Sequence, residues 1–197
     1  MEQGTRTPSG ENTRRLTETT LAQHAHGRSG GLMPKRVEVA TVGYQGATVR
    51  SFLRTLSEAG VELLVDVRAV ASSRRPGFAK SALAANLESA GIDYLHLRDL
   101  GTPASGRAAA RAGRHAEMRR IYRAHLRTKA AQMALHALAD LVRSRRTCLL
   151  CFEADAAQCH RALVADALGG RVALKVTHLA PSLQENHLRP ENLSEDE

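Results

Sequence analysis

Tryptophan is absent from the chain, and tyrosine and phenylalanine supply only three residues each. A core so short of rings has to be built from Leu, Val, Ala and Ile. The same shortage argues against recognition of unpaired bases on aromatic platforms. Apolar runs of about 18 residues are missing, and no apolar stretch of signal length opens the sequence, so a soluble, cytoplasmic protein with no membrane partner is expected. Cysteine is scarce, three residues and an odd number, which points to free thiols in a reducing compartment rather than a disulfide framework. Acidic residues are nearly missing from one long segment: between Arg107 and Arg146 only Glu117 and Asp140 oppose a series of arginines.

What is present fits one domain with tails. The chain has 197 residues, 43% of them hydrophobic, and a formal net charge of +8. Residues 1–35 are rich in Thr, Ser, Gly, Arg and His with almost no apolar periodicity, and read as a disordered polar tail in which His24 and His26 are solvated. Residues 36–180 read as a single α/β domain, and 181–197 as a polar acidic tail.

Strands are expected at 37–42, 61–68, 92–97, 147–152 and 172–179. The second is nearly continuous in apolar residues, as in a parallel strand covered on both faces. Between them, Val49, Phe52, Leu53 and Leu56 recur at helical spacing, 80–90 is an Ala/Leu helix, 114–143 is a long helical pattern broken near Arg127–Thr128, and 158–168 is a last helix. Residues 102–113 are rich in Gly, Ala and Arg and read as a flexible loop or lid. Alternation of this kind predicts a doubly wound three-layer α/β fold, with a mainly parallel sheet of about five strands and flexible tails. Ligands of such folds bind beyond the carboxyl ends of the strands.

The chemistry-bearing residues fall at those ends. Gly43 and Tyr44 follow the first strand, where a tight turn would let backbone approach a ligand. Asp66 and Arg68 close the second; being two apart they share a face, and a carboxylate in an apolar run needs a partner. The loop from Ser72 to Phe78 carries Arg74, a candidate anion clamp. After the fourth strand come Glu153 and then Cys159-His160-Arg161 at a helix start, where N–H groups favour an anion or thiolate. Cys148 and Cys151 form a C-x-x-C, but three residues along a strand place them on opposite faces, against a redox pair or zinc knuckle. A metal site from Cys159, His160, His96 and Glu153 is the least favoured arrangement and no metal is expected, because neighbours on a helix diverge by about 100°.

In combination, Thr41-Val42-Gly43-Tyr44, Leu64-Val65-Asp66-Val67-Arg68, Ser73-Arg74 with Phe78, Gly91-Ile92 with Tyr94, Leu100-Gly101, and Leu150-Cys151 with Glu153 followed by Cys159-His160-Arg161 give the chain a resemblance to the domain of unknown function 488 family over about residues 37–180. The resemblance implies an α/β domain and a site around Asp66, Arg68, Glu153, Cys159, His160 and Arg161. It implies no particular reaction.

Two functions compete at this level. One is an enzyme acting on a phosphorylated small molecule, nucleotide or nucleic-acid component, with Arg68, Arg74 and Arg161 holding anionic groups, Asp66 or Glu153 as acid, base or nucleophile, and Cys159 a thiolate beside His160. Cleavage of a glycosidic bond would suit two carboxylates at neighbouring strand ends. A phosphatase or rhodanese-like C-x5-R loop is not there: the arginine position is Ala157 after Cys151 and Ala165 after Cys159. The alternative is a non-catalytic basic module that holds nucleic acid through segment 107–146. The cofactor and the oligomeric state are unknown from the residues alone.

Overall fold

The computed structural model describes residues 36–182. The expected tails, with His24 and His26, lie outside the described residues except for Pro181–Ser182. Five strands, β1 (Val37–Gly43), β2 (Leu63–Asp66), β3 (Asp93–His96), β4 (Thr147–Cys151) and β5 (Leu174–Leu179), form one sheet in the order β3-β2-β4-β1-β5. Every pairing is parallel. Six helices connect them: α1 (Val49–Glu58), α2 (Lys80–Ser89), α3 (Ala104–Arg111), α4 (His115–Leu126), α5 (Lys129–Ser144) and α6 (His160–Gly169).

The alternation of side chains along each strand sorts the core into two layers. Val42, Leu64, Cys148 and Leu150 point to one face, where Phe52 and Leu56 of α1 and Leu83 and Leu87 of α2 cover them. Val39, Leu63, Val65 and Leu149 point to the other and are covered by α3 to α6 through Ala109, Tyr122, Leu135, Leu138 and Val164. Each fully buried Leu or Val in these layers contributes about 1.5–3 kcal/mol by leaving water. Cys148 and Cys151 therefore do face opposite ways: Cys148 is packed in the α1/α2 layer, whereas Cys151 opens onto a cavity on the other side.

Local chemistry explains the helix limits. Thr48 caps α1, its Oγ1 accepting the Ser51 N–H at 3.0 Å. Thr128 caps α5 in the same way, which is why the long basic pattern is two helices rather than one. The segment expected to be a flexible loop, 102–113, is instead mostly helix: α3 spans Ala104–Arg111 and buries Gly106 and Ala109. Alanine and arginine favour a helix, and small residues let α3 lie close to its neighbours, since a Cβ on Gly106 would come within 2.6 Å of Thr102 Cγ2.

Register places the carboxyl ends side by side. Gly43 pairs with Cys151, and Asp66 with Leu150 one residue earlier on the same strand. The ends of β1, β4 and β2 thus lie in one row, where the chain's polar residues collect.

Candidate functional site

At the end of β2, Asp66 is fully buried. Its carboxylate accepts Arg68 Nε at 2.8 and 3.0 Å, Arg68 Nη2 at 2.6 Å, the Arg68 backbone N–H at 3.0 Å and the Tyr94 hydroxyl at 2.7 Å. Arg68 in turn donates from Nη1 to the Tyr44 hydroxyl at 2.9 Å and to the Phe78 carbonyl at 3.1 Å. Burial alone would make Arg68 easier to deprotonate; its bonds and charge attraction to Asp66 outweigh that and keep it fully charged. Tyr94 is pushed up by burial and by donating to Asp66, so it stays a phenol. Asp66 is a holder of Arg68 rather than a wall of the cavity, and Arg68 reaches that wall.

At the end of β1, the backbone of Gly43 is pressed against the loop that follows β4. A Cβ there would fall 1.8 Å from the Glu153 carbonyl oxygen. The close approach is to the chain's own backbone, and Gly43 does not line the cavity. Gln45 seals the contact, its N–H donating to Phe152 O at 2.9 Å and its side-chain oxygen accepting the Ala154 N–H at 3.0 Å. Arg161, fully buried in α6, fastens the same loop from below: Nη1 donates to Glu153 O, Nη2 to Ala154 O at 2.8 Å and Nε to Thr41 Oγ1 at 3.2 Å. All three of these acceptors are neutral, so this buried cation draws its counter-charge from nearby groups.

That charge is available among the sulfurs. His160 Nε2 lies 2.8 Å from the Val67 carbonyl and must carry a proton to donate there. Its Nδ1 faces two thiols, Cys151 Sγ at 3.4 Å and Cys159 Sγ at 3.9 Å. These three ligand-type atoms all lie within 4.8 Å of one another. The thiols titrate as a pair. Burial opposes ionisation of Cys159, but hydrogen bonds from Cys151 and His160 and the charges of His160 and Arg161 override it and bring Cys159 well down. Cys151 is pushed well up by its bond to Cys159 and by burial. Burial likewise disfavours a charged His160, and contact with Cys159 reverses this and raises it. Cys151 is the nearer sulfur to the ring, yet Cys159 is the sulfur whose surroundings favour the thiolate, and it stands at the N-cap position of α6, where the helix start favours an anion.

A cavity of about 280 Å³ opens over this cluster. Tyr44, Arg68, Cys151, Glu153, Cys159 and His160 line it from the strand ends, and Arg107 and Arg111 from α3. Phe152 and Val70 form an apolar part of the wall and remain 39% and 50% exposed. Glu153 is half-buried; burial and the negative charge at Cys159 push its carboxyl up, against the pull of His115, Arg161 and His160.

The family model described as "Domain of unknown function DUF488" matches residues 48–168. The chain belongs to that family. No curated protein matches it. The match takes in β2, β3, β4 and nearly all of α6, and so carries Asp66, Arg68, Cys151, Glu153, Cys159, His160 and Arg161 within the DUF488 domain, while Gly43 and Tyr44 precede it.

Of the residues singled out in the sequence, this DUF488 chain brings Tyr44, Arg68, Glu153, Cys159 and His160 to one cavity. Asp66, Gly43 and Arg161 stand directly behind it, each holding a part of the wall. Arg74 is exposed and away from the lining, and its neighbour Arg75 donates to Ala47 O and lies over the Phe78 ring instead. His96 turns to the Arg68 carbonyl at 2.8 Å, apart from the sulfurs. Cys159 and His160 do reach a common point despite being adjacent, because Cys159 has extended backbone (φ −116°, ψ 146°) and helical divergence begins only after it. Cys151, Arg107 and Arg111 also line the cavity, although the sequence pointed to Cys151 only in its pairing with Cys148 and to the two arginines only as part of the basic segment 107–146. For Cys151 the signal was present: its side of β4 is the side opposite Cys148.

Proposed function

We propose that the protein is an enzyme acting on a phosphorylated small molecule, nucleotide or nucleic-acid component held in this cavity. One observation supports the reading above the rest: three arginines, Arg68, Arg107 and Arg111, line the same 280 Å³ space as a buried Cys–Cys–His cluster and a half-buried carboxyl. Ligand pockets of drug-sized molecules begin at roughly 300 Å³, so the space suits a mononucleotide or a sugar phosphate better than a length of polymer. Arg107 and Arg111 would hold the anionic group, with Arg68 as the fixed inner cation. Glu153, raised toward neutrality, would give or take the proton, and the Cys151–Cys159–His160 cluster would be the reactive centre. Phe152 and Val70 offer an apolar seat for a base or sugar ring.

A thermal-shift screen of nucleotides, nucleosides and sugar phosphates checks this. A small anion at about 100 times its dissociation constant should stabilise the chain by roughly 2.7 kcal/mol. The shift should vanish in the Arg107→Ala/Arg111→Ala double variant. No shift from any small anion, or a shift that survives in the double variant, would sink the reading.

A second reading rests on α4, where Arg120, Arg123 and Arg127 are exposed at a spacing that puts them on one side. Such a row would suit the phosphates of a nucleic acid. Binding of that kind weakens steeply with salt and would be indifferent to Cys159→Ala.

A further inference from the structure

Cys151 is the last residue of β4, Cys159 the cap of α6 and His160 its first residue. All three are buried, and all three line the cavity. We propose that Cys151 Sγ, Cys159 Sγ and His160 Nδ1 form a zinc site whose fourth position opens into the cleft.

The distances carry the argument. Zinc binds thiolate sulfur at about 2.3 Å and imidazole nitrogen at about 2.0–2.1 Å, in tetrahedral geometry. Ligands at those lengths stand about 3.5 Å apart for sulfur and nitrogen and about 3.8 Å apart for two sulfurs. The separations of 3.4 and 3.9 Å from Nδ1 to the two sulfurs bracket the first value, and no pair among the three atoms exceeds 4.8 Å. An ion at the centre needs shifts of a few tenths of an ångström to about one.

The surroundings agree. A zinc-bound histidine commonly donates its other ring N–H to a carbonyl or carboxylate, which fixes the ring. His160 is held this way by the Val67 carbonyl, at 2.8 Å, with Nδ1 turned to the sulfurs. Two thiolates match the charge of the ion, so the site adds no net positive charge beside the buried Arg161. Three protein ligands and one open position is the pattern of catalytic rather than structural zinc. Glu153 lines the same cavity without being one of the clustered ligand groups, the place of a carboxylate that meets a bound water rather than the metal.

What the ion would do rests on the enzymatic reading above; that it binds does not. In the cleft, a water on the fourth position gives its proton to Glu153, and the resulting hydroxide adds to the electrophilic phosphorus or carbon of the anionic substrate. The bond to the leaving group breaks, and Glu153 passes the proton to that group. The net reaction is hydrolysis, with water as the only co-reactant.

The test is a cobalt titration of the full chain, stripped by a chelator and kept reduced. One cobalt per chain should bind, with thiolate-to-cobalt charge-transfer absorption and the intense visible bands of tetrahedral cobalt, and zinc should displace it. Cys151→Ala and Cys159→Ala should each weaken binding by more than about 100-fold, since loss of an outer-shell partner already costs about 10–100-fold. Cys148→Ala, on the far side of the sheet, should bind as before. Absence of the bands in the folded, reduced wild-type chain overturns the proposal whatever the variants do, as do bands that survive in Cys159→Ala or Cys151→Ala. If either variant fails to fold, protection of wild-type Cys159 from iodoacetamide by zinc gives the same decision. Metal binding is read without substrate and anion binding by thermal shift of the metal-free chain, so either reading can fail alone.

Discussion

Asp66 holds Arg68 by its own carboxylate, two residues back along the chain, through side-chain contacts of 2.6 to 3.0 Å in a region closed to solvent. An ion pair this deep is costly to assemble and costlier to break, because the survivor is left charged without a partner. The pair fixes the one cation that approaches the cavity from the sheet, and Tyr94 and Tyr44 complete its setting from either side.

Replacing Asp66 by Asn should therefore lower stability by about 3–5 kcal/mol. Urea unfolding followed by circular dichroism checks the value. Tyr94→Phe removes one bond to the same carboxylate and should cost about 1.5–3 kcal/mol. If Asp66→Asn unfolds at the wild-type midpoint, the pair is not what holds the end of β2.

Gly43→Ala should be damaging although the residue lies outside the cavity lining. The added methyl meets the Glu153 carbonyl oxygen at 1.8 Å, a backbone atom with no flexible side chain to turn aside, so one strand end must move. A loss of at least about 1–3 kcal/mol is expected from such overpacking. Faster amide exchange at Ala154 should accompany it, because Gln45 loses its hold there.

Arg161→Lys keeps the charge and should still be destabilising. An ammonium cannot span the Glu153 and Ala154 carbonyls while also reaching Thr41. At about 1.5–3 kcal/mol for each charged hydrogen bond, loss of one or two puts the cost at about 1.5–6 kcal/mol. Thermal unfolding measures it; wild-type stability in Arg161→Lys would show that the loop is held by other contacts.

Arg111→Ala should behave in the opposite way. The side chain is exposed on α3 and has no hydrogen bond holding it among the described residues, so stability should change by no more than about 0.5 kcal/mol. Stabilisation by a small phosphorylated ligand should nevertheless fall. A stability loss of several kcal/mol would assign Arg111 to the scaffold.

Much of the architecture was legible because it rests on rules of spacing. The apolar run of 61–67 declares a strand buried on both faces, and Asp66 within it declares a partner nearby. Thr128 marks the break between α4 and α5. The rest depended on pairings that spacing does not encode. Parity along β4 separates Cys151 from its sequence neighbour Cys148; its neighbours in space, Cys159 and His160, come close only when the 152–158 loop folds back over β1. Arg107 and Arg111 were submerged in a long basic segment, and α3 was obscured by glycines that serve close packing and a turn. Arg74 and Arg75 are alike in sequence and differ only in which of them the loop turns inward.

The bonds that assemble the cleft join distant parts of the chain: Thr41 to Arg161 spans 120 residues and Val67 to His160 spans 93. Contacts of such high order form late in folding, after the entropy of closing long loops has been met. Cys159 and His160 are sequence neighbours, but the Val67 carbonyl that fixes the imidazole ring is reached only through such a contact. The cluster of Cys151, Cys159 and His160 is therefore whole only while α6 is docked against the ends of β1, β2 and β4, and it comes apart whenever α6 undocks.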